Sequence, residues 1–229
     1  MNRTDTPAMT VEEAIRERRS VRGFLPTEVP LPVLHEIFAL SQQSPSNCNV
    51  QPWLPHVVSG AALQRLRTDL VAAADAGEKQ RSDWPADFKL EGVYRERQFD
   101  AAAQLYDAMG VERHDRPGRH AAFVRNQAFF DAPHALFVFL ESPFNTREAV
   151  DVGMYMQTLM LALTARGLAS CAQGALRLYP DIVRRHLGLA DRYRLLLGMS
   201  FGYEDASVKA NAARVSRAAL GDAVVFHSA

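Results

Sequence analysis

The chain has 229 residues, 48% of them hydrophobic, and contains 26 Lys plus Arg against 26 Asp plus Glu. This length favours one substantial core in a single domain, residues 1–229, over two equal domains. The zero net charge excludes a molecule held as a whole on nucleic acid or on an anionic membrane, so any basic function must be local.

The first predicted helix ends in a basic cluster. The ten residues before it lack the apolar stretch of a signal peptide, so no export is expected. Thr10 and Glu13 fit a capping box, and the apolar spacing that follows predicts a helix that ends at Gly23. The basic cluster comprises Arg16, Arg18, Arg19, Ser20 and Arg22. If the helix extends that far, Arg18 and Arg22 share a face and could grip a phosphate, the alternative being a solvated helix end.

A second helix, predicted from Pro32, leads into a neutral polar bend with the sequence QSPSNCNVQPW, residues 43–53. Its hydrogen-bonding side chains include Ser46, Asn47, Asn49 and Gln51, and its stiffening residues are Pro45 and Pro52. A planar heterocycle with carbonyl and NH edges needs neutral donors and acceptors in fixed places. The bend therefore predicts a reader of a heteroaromatic edge, and a simple capped turn is the alternative.

The next segments are typical of an α+β protein. Residues 54–58 predict a short strand, and residues 60–77 predict a helix with Leu63, Leu66 and Leu70 facing inward. After these elements the character of the chain changes.

Residues 78–130 form a polar excursion that is rich in aromatic residues, with two predicted helices around the sequence GVERHDRPGR. Such an excursion predicts a lid or a cover that faces a partner. The alternative is a surface helical hairpin whose aromatic side chains fill the core. The unbroken apolar run over residues 134–140 then predicts a buried strand.

The segment 151–167 is the most apolar helix candidate in the chain. Its apolar residues cover most of the helix circumference, so the helix needs cover on nearly all sides. In so small a domain a second copy of the chain would supply part of that cover, which indicates a homodimer. A short helix over 180–189, a strand over 192–203 and an exposed C-terminal arm over 204–229 complete the chain.

Other catalytic patterns are weak. The sequence GMSFG fits the G-x-S-x-G elbow of serine hydrolases, but after Ser200 only His227 remains, with too little chain for the rest of that fold. Neither the His and Cys spacing of a metal site, nor GxGxxG, nor a Walker motif occurs, so no metal, Rossmann fold or P-loop is predicted. Cys48 and Cys171 stand outside any CxxC pattern, which is typical of free thiols in the cytoplasm.

Several motifs occur together in one order: RRSVRGF, SPSNCNVQPW, ARGLAS, AQGA, LGLADRYRLLLGMSFGY and a terminal RVSR. Across essentially the whole chain they resemble the flavin-dependent nitroreductase family, and the excursion is similar to the branch that reduces nitrobenzoate-like aromatics. The resemblance implies an α+β fold with a central antiparallel or mixed sheet flanked by helices. It also implies an intertwined homodimer that binds one FMN in each of two clefts built from both subunits.

The resemblance further implies a ping-pong cycle in which NADH or NADPH gives a hydride to FMN. A nitroaromatic acceptor then becomes the nitroso and hydroxylamino products, and no catalytic side chain is needed. Two alternatives remain open: another acceptor on the same fold, as in reductive dehalogenases, and a flavin-binding or storage protein without turnover.

The resemblance assigns roles to particular residues. The phosphate and ribityl end of FMN falls to Arg18, Arg19, Ser20 and Arg22, with Arg217 and Arg214 closing on the phosphate. The partner's bend approaches the flavin through Pro45, Ser46, Asn47 and Asn49. Gln173 and Gly174 bring backbone NH groups near the flavin N5, with Gln173 standing where some relatives have a carboxylate and Val215 where some have a lysine.

The predicted lid supplies the acceptor site. Tyr106 and Phe123 are expected to sandwich a flat acceptor against the flavin, while Arg97 or Arg125 favours a carboxylated one such as nitrobenzoate.

Overall fold

The computed structural model describes residues 9–85 and 89–228, so the first eight residues, residues 86–88 of the predicted lid and residue 229 lie outside the described residues. The helices within these ranges are α1 (Val11–Glu17), α2 (Leu31–Ser41), α3 (Gly60–Asp75), α4 (Gly92–Met109), α5 (Arg116–Gln127), α6 (Thr146–Thr164), α7 (Pro180–Leu187) and α8 (Leu220–Ala223). The strands are β1 (Leu54–Ser59), β2 (His134–Glu141), β3 (Ala169–Gln173) and β4 (Tyr193–Gly202).

The four strands form one sheet in the order β1-β2-β4-β3, and all three pairings are antiparallel. The predicted α+β class with a central sheet is confirmed. Of the two predicted sheet types, antiparallel and mixed, the described strands form the antiparallel one. Alternate residues of β2 face two separate cores, since Phe137 packs with α3 and α7 while Leu136 packs with α2 and α6. Because both faces of β2 are covered, its sequence is apolar without alternation.

The helix after the capping box is shorter than predicted. Thr10 and Glu13 form the box, but the helix ends at Glu17, because Arg18 leaves helical geometry with ψ of 122°. The chain then runs extended beside β3, where the Val21 N–H donates to the Ser170 carbonyl at 3.0 Å. The expectation that Arg18 and Arg22 share a helical face is therefore wrong, since burying Val21 against the sheet favours extended backbone.

Helix α6 has an uncovered side in the single chain. Val152, Tyr155 and Leu159 are fully buried, whereas Val150 is 60% exposed and Met154 is 36% exposed. Helix α6 packs against α1, which exposes Val11 and Ile15 in the same way. In the described part of the chain, no helix is both long enough and apolar enough to cross a membrane.

The aromatic residues of the predicted lid divide into two groups. Tyr94 and Phe99 on α4 are 65% and 55% exposed, so they do not fill the core of this chain. Phe129 and Phe130, which follow α5, are buried in the main core. The exposed aromatic residues of the described lid therefore lie on α4, whereas α5 packs against α3.

Candidate functional site

A cleft of about 630 Å³ lies where α1, the extended segment after it, α6 and the C-terminal arm meet. We call it the arginine cleft; its lining includes Arg18, Arg19, Ser20, Arg22, Arg214 and Arg217. Residues from the two ends of the chain, which the sequence predicted to share a phosphate site, thus face one space. Clefts of this size are typical of small-molecule sites, which occupy roughly 300–1,000 Å³.

Close contact between two backbone segments brings these arginines together. A Cβ on Gly23 would lie 2.5 Å from the Val208 side chain, so only glycine allows the extended segment to approach so closely. The Asp205 N–H donates to the Gly23 carbonyl at 3.0 Å. Asn211, which is 5% exposed, donates to the same carbonyl at 3.0 Å and accepts from the Arg22 N–H at 2.6 Å.

The charges in the arginine cleft are only partly neutralised. Arg19 is ion-paired with Glu204 and also donates to the Asn211 carbonyl, so it is committed to the protein. Within residues 9–85 and 89–228, neither Arg18, Arg22, Arg214 nor Arg217 has a carboxylate partner. Glu17 also lines the cleft, but the guanidinium groups outnumber it, which favours a dianionic ligand such as a phosphate monoester.

Cys171 lies beneath the extended segment. It is buried in β3, and burial raises the pKa of its thiol, although Arg22, a hydrogen bond with Ser20 and Arg18 act in the opposite direction. A buried thiol with a raised pKa is mostly neutral, so it neither competes with a bound anion nor acts as a nucleophile.

A second, smaller cleft of about 160 Å³ lies beside the first, and we call it the aromatic cleft. Its lining includes Tyr106 from α4, Phe123 and Arg125 from α5, and Arg22, which also lines the arginine cleft. Arg125 donates to Asp131 at 3.0 Å and to the Arg22 carbonyl at 3.5 Å. The structure therefore brings together three of the four predicted acceptor residues next to the predicted cofactor site.

Arg97 lies elsewhere. It lines a separate hollow between α4 and the C-terminal arm, together with Asp100 and Arg217. On α4, Arg97 and Tyr106 are nine positions apart, half a turn out of register, so the two side chains leave the helix on opposite sides.

The polar bend is exposed and conformationally strained. Cys48, Asn49 and Gln51 have positive φ values of 50°, 56° and 50°, which non-glycine residues rarely adopt. Hydrogen bonds within the bend hold this shape, with the Gln51 N–H donating to Ser46 Oγ at 2.9 Å and its side chain donating to Asn49. A strained, exposed and well-bonded segment is typical of a functional site.

A hydrogen bond connects the tip of this bend to α6. The Asn47 N–H donates to Asp151 Oδ1 at 3.2 Å, and Asp151 is 4% exposed on α6. Gln157, six residues further along α6, lines the arginine cleft, so the bend lies about 9 Å away along the helix axis. The bend is not part of the lining of its own chain's arginine cleft.

Gln173 is buried with both ends of its amide bonded. It donates to the Asn126 carbonyl at 3.0 Å and accepts a hydrogen bond from Ser200. Gly174 beside it is exposed, and a Cβ there would meet open space. Ser200 is fully buried within β4, so it does not occupy the exposed strand-to-helix elbow that a serine hydrolase requires.

Two contributors to the site, Asn211 and Asp151, carried no sequence signal. Asn211 lies in the arm and Asp151 begins the apolar helix segment, and each acts through backbone groups far away in sequence. A buried polar residue is recognisable from sequence only when a motif surrounds it, and neither residue belongs to one.

Comparisons with known proteins show which family this chain resembles. The sequence profile described as the nitroreductase family matches residues 15–203. The chain is 41% identical over 220 residues to nitroreductase NfnB from Mycolicibacterium smegmatis, covering 96% of this chain and 93% of that protein. It is 33% identical over 207 residues to a 4-nitrobenzoate reductase from Pseudomonas putida, covering 90% of each. The crystal structure of the FMN-dependent nitroreductase NfnB from Mycobacterium smegmatis in complex with NADPH superposes with a TM-score of 0.91 at 41% identity, covering 95% of this chain and 97% of that one.

Proposed function

Since this chain belongs to the nitroreductase family, we propose that it is an FMN-dependent oxidoreductase that uses NADH or NADPH to reduce nitroaromatic compounds. The observation that carries the proposal is the arginine cleft, where residues from both ends of the chain surround one space with unpaired guanidinium groups. The nitrobenzoate reductase and the FMN-dependent NfnB among its relatives support the same activity.

The residues of the arginine cleft fit the phosphate end of FMN. Arg18, Arg22, Arg214 and Arg217 would balance a phosphate dianion, and Ser20 adds a hydroxyl donor. Arg19 contributes indirectly, since its pairing with Glu204 anchors the extended segment to the chain after β4.

When bound, FMN supplies the two-electron redox chemistry between the nicotinamide and the nitro group. The chain's own work is to bind, to orient and to exclude water. Gly174 leaves room for close approach of a flat ring, while the buried Gln173 fixes the turn beside it. Because the Gln173 amide is already bonded at both ends, its role is to hold this turn, and it does not supply a charge as a carboxylate would.

We propose that the active form is an intertwined homodimer. Helices α1 and α6 pack against each other and expose apolar residues that a second copy would cover, and the arm also exposes Val225 and Phe226, at 75% and 78%. In the single chain the polar bend lies apart from the arginine cleft. We assign Pro45, Ser46, Asn47, Asn49 and Gln51 to the flavin in the partner's cleft, because the bend does not line the arginine cleft of its own chain. Two free thiols, Cys48 and Cys171, support a cytoplasmic location.

The aromatic cleft is the proposed acceptor site, with Tyr106 and Phe123 against the flat face of the acceptor and Arg125 beside its carboxylate. The ion pair of Arg125 with Asp131 is partly exposed, and such pairs hold a side chain weakly. Arg125 can therefore turn to a substrate carboxylate, whereas Arg97 lies outside this cleft.

The test combines a spectrum with kinetics. The purified protein should be yellow, release FMN on denaturation and oxidise NADPH or NADH only when a nitroaromatic is present. Loss of a hydrogen bond to a charged group costs about 1.5–3 kcal/mol, so Arg125→Gln should raise KM for 4-nitrobenzoate about tenfold or more and leave KM for nitrobenzene unchanged. Arg97→Gln is the matched control and should leave both unchanged. A colourless protein that does not bind added FMN would refute the function, while equal effects of Arg125→Gln on both acceptors would refute the acceptor site alone.

A further inference from the structure

The side chain of Asn211 joins two segments that are distant in the sequence. Its side-chain NH2 donates to the carbonyls of Gly23 at 3.0 Å and Asp205 at 2.9 Å, and its Oδ1 accepts from the Arg22 N–H at 2.6 Å. Its own carbonyl accepts from Arg214 at 2.7 Å. The side chain is 5% exposed and does not belong to the lining of the arginine cleft, so it would not touch a ligand there.

These bonds join the two halves of the arginine cleft. One half is the extended segment with Arg18 and Arg22, and the other is the arm with Arg214 and Arg217. Facing cations repel each other, so an empty cleft of this kind tends to open unless the backbone is held. The Asn211 side chain bonds to the backbone of Arg22 and Gly23 in one half, while Asn211 itself belongs to the other half, where its backbone carbonyl accepts from Arg214.

We infer that Asn211 is a positioning residue that holds the arginines of the two halves in register for a phosphate monoester. The inference rests on the proposed function, in which the phosphate of FMN occupies this cleft. Asparagine suits the role, because one side chain supplies an acceptor for a backbone N–H and two donors for backbone carbonyls. Alanine would leave all three backbone groups without a side-chain partner in a buried place.

Riboflavin has the same ring and ribityl chain as FMN but no phosphate. Comparing the binding of the two flavins therefore distinguishes a positioning role of Asn211 at the phosphate site from a general effect on stability. The apoprotein is titrated with FMN and with riboflavin, and flavin fluorescence reports each Kd. In Asn211→Ala the Kd for FMN should rise about tenfold, equivalent to about 1.4 kcal/mol, while the Kd for riboflavin should change less than about twofold. The matched control is Leu70→Ala, which empties a fully buried site on α3 and lines neither cleft. It should lower Tm without changing the ratio of the two Kd values.

The outcomes are distinct. If Asn211→Ala weakens FMN and riboflavin equally, or weakens neither, the positioning role is refuted. If Asn211→Ala does not fold, Asn211→Ser replaces it, because serine keeps one hydroxyl for hydrogen bonding. Asn211→Ser should raise the ratio of the FMN Kd to the riboflavin Kd by a smaller factor. An unchanged ratio in this variant also refutes the positioning role. A wild-type protein that binds FMN no more tightly than riboflavin would refute the phosphate assignment of the cleft itself.

Discussion

The bond between Asp151 and the polar bend gives a prediction whose size follows from the structure. Replacing Asp151 with Ala removes the acceptor of the Asn47 N–H, which is the bend's hydrogen bond to α6. A hydrogen bond to a charged group contributes about 1.5–3 kcal/mol, and the 3.2 Å length places this one near the lower end. Meanwhile the positive φ values of Cys48, Asn49 and Gln51 store strain of order 1 kcal/mol each, which favours relaxation once the bond is gone.

The expected result is a looser bend and weaker binding of the flavin ring. In Asp151→Ala, Kd should rise about tenfold for both FMN and riboflavin, since 1.4 kcal/mol corresponds to a factor of ten and, in the proposed dimer, the bend faces the ring end of the flavin. Asp151→Asn keeps a carbonyl oxygen for the Asn47 N–H and should stay within about threefold of wild type. Fluorescence titration of the apoprotein measures both ligands. Thr68→Ala on α3 is the control, because the Thr68 hydroxyl donates to the Gln64 carbonyl at 3.0 Å within α3 and Thr68 lines neither cleft. If Asp151→Ala binds riboflavin as tightly as wild type does, the bend does not contact the ring.

Two further predictions concern stability. Burial lowers the pKa of His134, against an opposing effect of Glu28, and its Nε2 accepts from the Val29 N–H at 2.8 Å, so the ring is neutral in the fold. In the unfolded chain the His134 ring takes up a proton near pH 6.5, so the stabilisation is present above that pH and is lost as pH falls towards the folded pKa. Tm should therefore drop from pH 7 to pH 5 more steeply in wild type than in His134→Gln. Parallel curves of Tm against pH would contradict this. Arg184→Met should lower the free energy of unfolding by about 3 kcal/mol in urea titrations, because the variant leaves the buried Asp83 carboxylate with only the looser pairing to Arg81 at 3.8 Å, and adding Asp83→Asn should recover part of the loss. If the losses of unfolding free energy in Arg184→Met and Asp83→Asn simply add in the double variant, the two residues do not act as a pair.

Much of the fold could be predicted from short-range patterns. The capping box at Thr10, the spacing of Leu63, Leu66 and Leu70 and the apolar run of β2 each depend on neighbouring residues, and the structure has each as predicted. The end of α1 could not be predicted, because it is set by pairing with a strand about 150 residues later.

The residues of the candidate site also differ in whether the local sequence predicts them. The arginines at the two ends of the chain belong to family motifs, so the sequence predicted both groups, and the structure brings them to one cleft. Asn211 and Asp151 act on backbone groups more than a hundred positions away, so nothing in their local sequence marks them. Arg97 and Arg125 were grouped because both lie in the lid, but only the packing of α4 and α5 decides which side chain reaches the aromatic cleft.

Arg22 lines both clefts. Its backbone N–H donates to Asn211 and its backbone carbonyl accepts from Arg125. Substitutions of Arg22 that admit new acceptors would therefore also disturb the phosphate site, and such gains would come with weaker cofactor binding. Leu105 and Met109 line the aromatic cleft from α4, and neither lines the arginine cleft. In directed evolution of the acceptor range, substitutions at these two positions would change the aromatic cleft without altering the lining of the arginine cleft.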